Sequence, residues 1–320
     1  MDRAFHAYGP ADTGYDLLDR LRTGDADFVQ DAGWLQPYTF LWSALYCGGR
    51  ITPATYLGLR FLAPAVAADD FGGPDPSLRW AVLWWIRDVA RAVLDLGDDR
   101  SVAAHRDEPV VHAWLDEHLR QQRSIFDWDA GDEPGRVLLA AARVDCHDYL
   151  PATYRLVSPL LATDAPERLR SAAAGAAAAL VSHPDLRGHR DQVIAFHRDE
   201  ATAGTSVHRA GMLLDLGELG GSTRDWLTDP HLGVRVCAAL SPGLATDPQA
   251  TAVLRAADPD ALDHAFGDMF LHQHARLSQV VAEALTDPRR PMTTSGPTRP
   301  ACGTPPRPGP GPGRPRRCPG

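Results

Sequence analysis

The stretch DPHLGVRVCAAL, residues 229–240, decides the fold. Asp229 can cap the first turn of a helix, and Pro230 suits the first helical position, where an amide hydrogen would have no partner. Apolar side chains then recur at three- and four-residue steps on one helical face: Leu232, Val236, Ala239 and Leu240. The run Ser241-Pro242-Gly243 ends the pattern, so the stretch predicts one short amphipathic helix.

The same helical spacing of apolar residues continues through most of the chain. Further Asp-Pro helix openings occur at Asp75, Asp247 and Asp258. No run of alternating β-branched residues bounded by a hairpin turn is evident, so we expect no appreciable sheet. The sequence therefore predicts an all-α protein.

An internal repeat accompanies these helices. Asp164 precedes Arg170 by six residues, and Asp229 precedes Arg235 by the same six. In both copies an apolar residue stands just before the arginine and small residues follow it. Looser copies begin at Asp75, Asp132 and Gly204. The recurrence indicates an internal repeat of one helical unit.

This pattern resembles HEAT repeats, and its carriers are Asp164, Arg170, Asp229 and Arg235. The resemblance implies an α-solenoid of antiparallel helix pairs, in which these residues form a ladder between repeats. Residues 6–21 and 44–62 are similar to the opening of an actinobacterial, streptomycete-type HEAT-repeat family whose activity is unassigned. The segment 47–49 reads Cys-Gly-Gly where that family tends to read His-Gln-Gly.

Composition divides the chain of 320 residues into two parts. Residues 291–320 hold ten prolines, six glycines, five arginines and no acidic residue, so we expect a disordered tail. A translation artefact would look the same. Removing those five positive charges from the net charge of −9 leaves −14 on residues 1–290, the predicted solenoid body. Such an acidic body argues against DNA or RNA as a partner.

Several other classes of function lack support in the sequence. No stretch is long and apolar enough for a membrane span, and the first residues carry no signal segment, so we expect a cytoplasmic location. The five scattered cysteines form no C-x-x-C pair. No phosphate-binding loop, metalloprotease motif or nucleophile elbow occurs. We therefore predict no enzyme activity and no cofactor.

Two groups of residues are candidates for binding. His264, Asp268 and His272 are spaced to lie on one helical face and could hold a divalent ion, although a solvated polar face explains them more simply. Trp80, Trp84, Arg87 and Arg91 flank the apolar stripe of one helix. Trp and Arg are frequent in binding hot spots, so this flank could anchor a partner, although plain packing explains it more simply.

The function predicted from these observations is a non-catalytic scaffold that binds another protein, in one variant a toxin neutralised by an immunity protein. An extended helical-repeat surface suits such recognition. The alternative is a HEAT-like DNA-base glycosylase or a lyase-type enzyme. It would need a cationic groove, which the acidic body disfavours.

Overall fold

A computed structural model of the chain describes residues 3–12, 14–25, 40–73, 75–162, 164–266 and 276–286. Helices predominate in this part of the chain, which confirms the all-α prediction. In chain order they are α1 (Gly14–Thr23), α2 (Pro53–Val66), α3 (Pro76–Val93), α4 (Asp99–Ala103), α5 (Pro109–Gln121), α6 (Glu133–Val157), α7 (Glu167–Leu180), α8 (Arg190–Glu200), α9 (Ser206–Glu218), α10 (Leu232–Ala239), α11 (Pro248–Ala256), α12 (Pro259–Phe266) and α13 (Leu277–Thr286). The predicted tail, residues 291–320, lies outside the described residues.

Aspartates begin several of these helices, as predicted. Asp75 Oδ1 accepts a hydrogen bond from the amide of Ser77 at 2.8 Å, and Asp247 Oδ1 accepts from two amides at the start of α11. Each bond satisfies an amide that the first helical turn leaves without a partner. Asp229 behaves differently. It accepts from the amide of His231 in a turn, and α10 begins only at Leu232.

Sheet structure in the described residues is limited to two short hairpins. They pair β1 (Phe5–His6) with β2 (Gly9–Pro10), and β3 (Tyr46–Cys47) with β4 (Arg50–Ile51). Gly48 and Gly49 connect the second pair with φ values of 58° and 85°. A two-residue turn with positive φ at both positions is the preferred connection of a tight hairpin, and glycine adopts it without strain.

Four helices, α3, α7, α9 and α10, form a row in which each packs against the next. They run in the same direction. Arg168 in the first turn of α7 lies over Trp80 near the start of α3, and seven residues further along both helices Gly175 lies beside Arg87. A second set of helices covers this row: α2 packs along α6, α6 packs against α7, and α8 packs against α7 and α9.

Helix α7 lies at the centre of the structure. All its residues from Ala172 to Leu180 are buried, and most of them are alanine. Small side chains let α3 and α9 approach α7 closely from two sides. The two largest groups of buried apolar side chains meet here, because Ala174 packs with α9 and α10 while its neighbours pack with α3 and α6.

Candidate functional site

A cluster of charged side chains joins α3 to α9. Arg87 Nη2 donates to Asp215 Oδ1 at 3.1 Å, and Arg91 Nη2 lies 3.5 Å from the same oxygen. Arg91 also pairs with Glu218. The Arg87 and Asp215 side chains are each only 6% exposed. We call these four residues the α3–α9 ion cluster. Buried charge of this kind is costly unless it is paired, so the position stands out in the molecule.

Gly175 makes this contact between non-adjacent helices possible. It lies on α7 between the two charged helices. A Cβ atom there would lie 3.3 Å from Asp215 Oδ2 and 3.5 Å from Arg87 Cδ. The absence of a side chain at this position leaves room for the guanidinium and the carboxylate to meet beside the helix.

Within the α3–α9 ion cluster, the surrounding charges favour the ionised forms of Arg87 and Asp215. Burial by itself opposes ionisation of Asp215, but Arg87, His197 and Arg91 outweigh that cost and hold the pKa of Asp215 below its usual range. Burial raises the pKa of Glu218, and the nearby arginines only partly offset this rise. Burial and the like charge of Arg87 lower the pKa of Arg91.

Two buried nitrogen atoms beside this pair have no hydrogen-bond partner among the described residues: Arg87 Nε and His197 Nε2. The Nδ1 atom of His197 donates to the carbonyl of Val193 at 2.8 Å, which fixes the ring. His197 Nε2 then points toward Asp215 Oδ2 at 3.8 Å. This separation is too long for a hydrogen bond, and an ion pair between the two groups requires a proton on Nε2 as well.

The four residues of the predicted flank, Trp80, Trp84, Arg87 and Arg91, thus have different environments in the structure. Arg87 is buried against Asp215, and Arg91 is engaged with Asp215 and Glu218. Trp80 and Trp84 are half-buried, with ring centroids 4.5 Å apart, and the guanidinium of Arg168 lies 4.8 Å from the Trp80 centroid. The apolar stripe beside the flank is buried as predicted: Leu78, Val82, Trp85 and Val89.

The predicted ladder is connected differently from the expectation. Arg170 pairs with Glu200 at 3.4 Å, Asp164 is exposed, and Asp229 pairs with Arg209. Arg235 donates to the backbone carbonyl of Asp229 at 2.6 Å. Arg170 and Arg235 each make one hydrogen bond of the same kind. Each guanidinium donates to the backbone carbonyl five residues earlier in the chain, at 3.5 Å for Arg170 and 3.0 Å for Arg235.

A serine, a histidine and a glutamate link α7, α8 and α9. Ser171 Oγ lies 2.5 Å from His208 Nδ1, and His208 Nε2 lies 2.8 Å from Glu200 Oε2. The carboxylate can only accept from Nε2, so Nδ1 of the neutral ring accepts from the serine hydroxyl. The groups follow the order of a hydrolytic triad. However, the His208 side chain is 2% exposed, and we assign the bonds a structural role because no open ring face is left for a substrate.

A pair of histidines joins α6 to the turn after α7. His183 Nδ1 accepts from the amide of Asp185, and its Nε2 lies 3.3 Å from His147 Nδ1. The same His147 nitrogen lies 3.3 Å from Arg100 Nη2 and 3.1 Å from Asp148 Oδ1. Burial and the neighbouring His147 lower the pKa of His183, which keeps its ring neutral. The guanidinium of Arg100 also pairs with Asp148, so the two histidines belong to a network with one arginine and one carboxylate.

The predicted metal ligands are only partly within the described residues. His264 is exposed on α12, whereas Asp268 and His272 lie outside the described part of the chain. Within the described ranges, no group of three or more His, Cys, Asp or Glu side chains converges in a way that could hold a metal ion.

Sequence reasoning missed Asp215, Glu218 and His208 as members of polar clusters. Asp215 and His208 both lie in the degenerate repeat copy that begins at Gly204, so the repeat itself was the available signal. Their partners on α3 and α7 are distant in sequence. No local pattern identifies such partners.

Comparison with known proteins adds no relative. No protein-family model matches the chain, and neither a curated protein nor a solved structure matches it. In the described part of the chain, no helix combines the length and the hydrophobicity that crossing a membrane requires.

Proposed function

We propose that the chain is a HEAT-like α-solenoid that acts as a non-catalytic, protein-binding scaffold. The observation that supports this proposal best is the row of parallel helices α3, α7, α9 and α10. Side-chain bonds join its members in succession: Ser171 to His208 between α7 and α9, and Arg209 to Asp229 between α9 and the turn before α10. Helical repeats stack in this way, and each added unit extends a surface that can bind a partner.

Charge indicates the kind of partner. Residues 1–290 carry a net charge of −14, and many of their arginines are already paired with carboxylates within the fold. An acidic surface attracts a basic protein at long range and increases its rate of association. We therefore propose a basic protein partner. Neutralisation of a basic toxin by this chain, as an immunity protein, is the variant that fits this charge.

The test begins with the full-length protein immobilised and exposed to a lysate and a culture supernatant of the source organism. Any stoichiometric partner is identified and purified, and its complex with the chain is then formed again from the two purified components. We expect an equimolar complex whose affinity falls as the salt concentration rises, because screening weakens attraction between exposed charges.

Two results would count against the scaffold. One is that no recovered protein forms a complex again when purified. The other is that the chain alone releases a free base from damaged duplex DNA, with first-order loss of the substrate. That result would establish the enzyme alternative instead.

A further inference from the structure

A groove is open at the surface between α1 and α2. Tyr15, Leu57, Arg60 and Phe61 line an open space of about 220 Å³. We call this the α1–α2 groove. Tyr15 is 44% exposed, and its ring centroid lies 6.1 Å from that of Phe61. Two aromatic rings and a leucine thus form apolar walls that remain open to solvent.

Arg60 differs from the other arginines nearby. On α1, Arg20 pairs with Asp25 and Arg22 pairs with Asp19, each at 2.8 Å. Arg60 is exposed and has no ion pair among the described residues. Its guanidinium instead lies 5.7 Å from the centroid of the Tyr56 ring. Other arginines in the described part of the chain, Arg50 among them, also lack an ion pair; Arg60 matters here because it lines the groove.

The contact with Tyr56 leaves Arg60 prepared to bind an anion. Attraction between the cation and the ring face holds the guanidinium in place without using its N–H groups. Those donors form a planar fork that matches the two oxygens of a carboxylate. Beside the fork, the rings of Tyr15 and Phe61 provide a surface on which an apolar side chain can be buried.

We propose that the α1–α2 groove binds a protein segment that presents one aromatic or leucyl side chain next to a single carboxylate. The proposal rests on the scaffold function and names the chemistry that part of the partner would carry. A strongly acidic segment does not fit, because the acidic body repels it and Arg60 can neutralise only one carboxylate. A basic partner with one such acidic residue satisfies both conditions.

The test uses the full-length protein and two small probes, N-acetyl-L-phenylalanine as its anion and the corresponding amide. The probes share the apolar ring and differ in the carboxylate. Binding is followed through the NMR shift of the Leu57 methyl groups and through saturation transfer to the probe ring. We expect the anion to bind with a Kd on the order of millimolar, since a ligand with so few atoms gains little free energy. The amide should bind several-fold more weakly.

Matched variants separate the groove from general surface binding. In Arg60→Gln, the anion and the amide should bind equally weakly, and in Tyr15→Ala both probes should weaken together. Arg136→Gln removes an exposed guanidinium that already pairs with Glu133. Val110→Ala trims an exposed apolar side chain on α5. Neither control should alter the binding of either probe.

Equal binding of the two probes to the parent protein would overturn the proposal, as would an unchanged preference for the anion in Arg60→Gln. These outcomes are distinct from a failure of the scaffold function. If a purified partner forms its complex with Arg60→Gln as tightly as with the parent, the scaffold stands and the groove is excluded. If no purified protein forms a complex but the anion preference depends on Arg60, the groove is an anion site, and its assignment to a protein segment is excluded together with the scaffold.

Discussion

His118 on α5 is buried among aromatic side chains although its ring is polar. Its ring stacks on Trp114 at a centroid distance of 4.7 Å, and the rings of Phe5 and Trp128 enclose it. Neither ring nitrogen has a hydrogen-bond partner among the described residues. Burial, together with the positive charge of Arg123, lowers the pKa of His118 to about 4. The folded protein therefore favours the neutral ring strongly.

This environment makes stability depend on pH. An unfolded histidine has a pKa of about 6.5, so the unfolded chain binds a proton at His118 before the folded chain does. The stabilisation from the neutral ring is complete above pH 6.5 and is lost as the pH falls from 6.5 toward 4. We expect the loss to reach the order of 2–3 kcal/mol at this residue. Urea unfolding at pH steps across this range measures it.

His118→Phe checks the assignment. The variant keeps an aromatic ring against Trp114 and has no group to protonate, so its free energy of unfolding should fall less steeply between pH 6.5 and 4. Some slope remains, because burial also lowers the pKa of His6 to about 4. If parent and variant lose stability in parallel across the window, His118 does not cause the dependence.

Single residues also show what the sequence could predict. The stripe of Leu78, Val82 and Trp85 follows from helical periodicity alone, and all three are buried. Periodicity placed Arg87 beside this stripe, but it did not identify the partner, Asp215, which lies 128 positions away in the sequence. No local pattern contains that information. Long-range pairing therefore marks the limit of sequence reasoning at this site.

Among the secondary-structure elements, α9 approaches the end of α10 closely at one glycine. A Cβ atom at Gly217 would lie 2.8 Å from Ser241 Oγ and 3.1 Å from Ser241 Cα. At Gly211, on the same helix, no atom lies within 4 Å of the Cβ position. These two glycines have the same helical backbone but different surroundings. Substitutions at the two positions therefore distinguish the effect of packing on stability from the effect of helix propensity.

We expect opposite effects from alanine at these two positions. Gly211→Ala should raise the free energy of unfolding by up to about 1 kcal/mol, the usual gain in helix propensity. Gly217→Ala gains the same propensity but pushes α9 away from Ser241, so we expect a net loss of about 1–2 kcal/mol. Thermal and urea unfolding of both variants provide the comparison. A stabilised Gly217→Ala would show that the two elements are not in close contact.

The elements differ in how well their sequences predicted them. The Asp-Pro openings of α3, α11 and α12 begin helices as expected, because the cap and the first proline act within one turn. The helix expected to begin at Pro230 begins two residues later, at Leu232, although Asp229 accepts from the amide of His231 as Asp247 does from that of Gln249. The hairpin at Gly48 and Gly49 was missed because its strands are only two residues long. Strands of this length are too short to show an alternating pattern of apolar and polar residues.

In the whole molecule, the α3–α9 ion cluster connects helices that α7 separates. If the helices form a one-dimensional array, stability is shared mainly between neighbours, and a local defect should stay local. If they form a single cooperative unit, a defect at Asp215 should weaken every helix equally. The position of Asp215 near the middle of the row makes it suitable for distinguishing these cases.

We expect Asp215→Asn to leave the buried guanidinium of Arg87 without its countercharge, at a cost of about 3–5 kcal/mol. Native-state hydrogen exchange should show the loss of protection in α3, α7 and α9, while α13 exchanges as in the parent protein. Arg136→Gln is the control, because the exposed pair with Glu133 contributes at most about 1 kcal/mol. Equal loss of protection in α3 and α13 would contradict the array. The helices would then share one core, and the extended surface on which the proposed scaffold depends would have no structural basis.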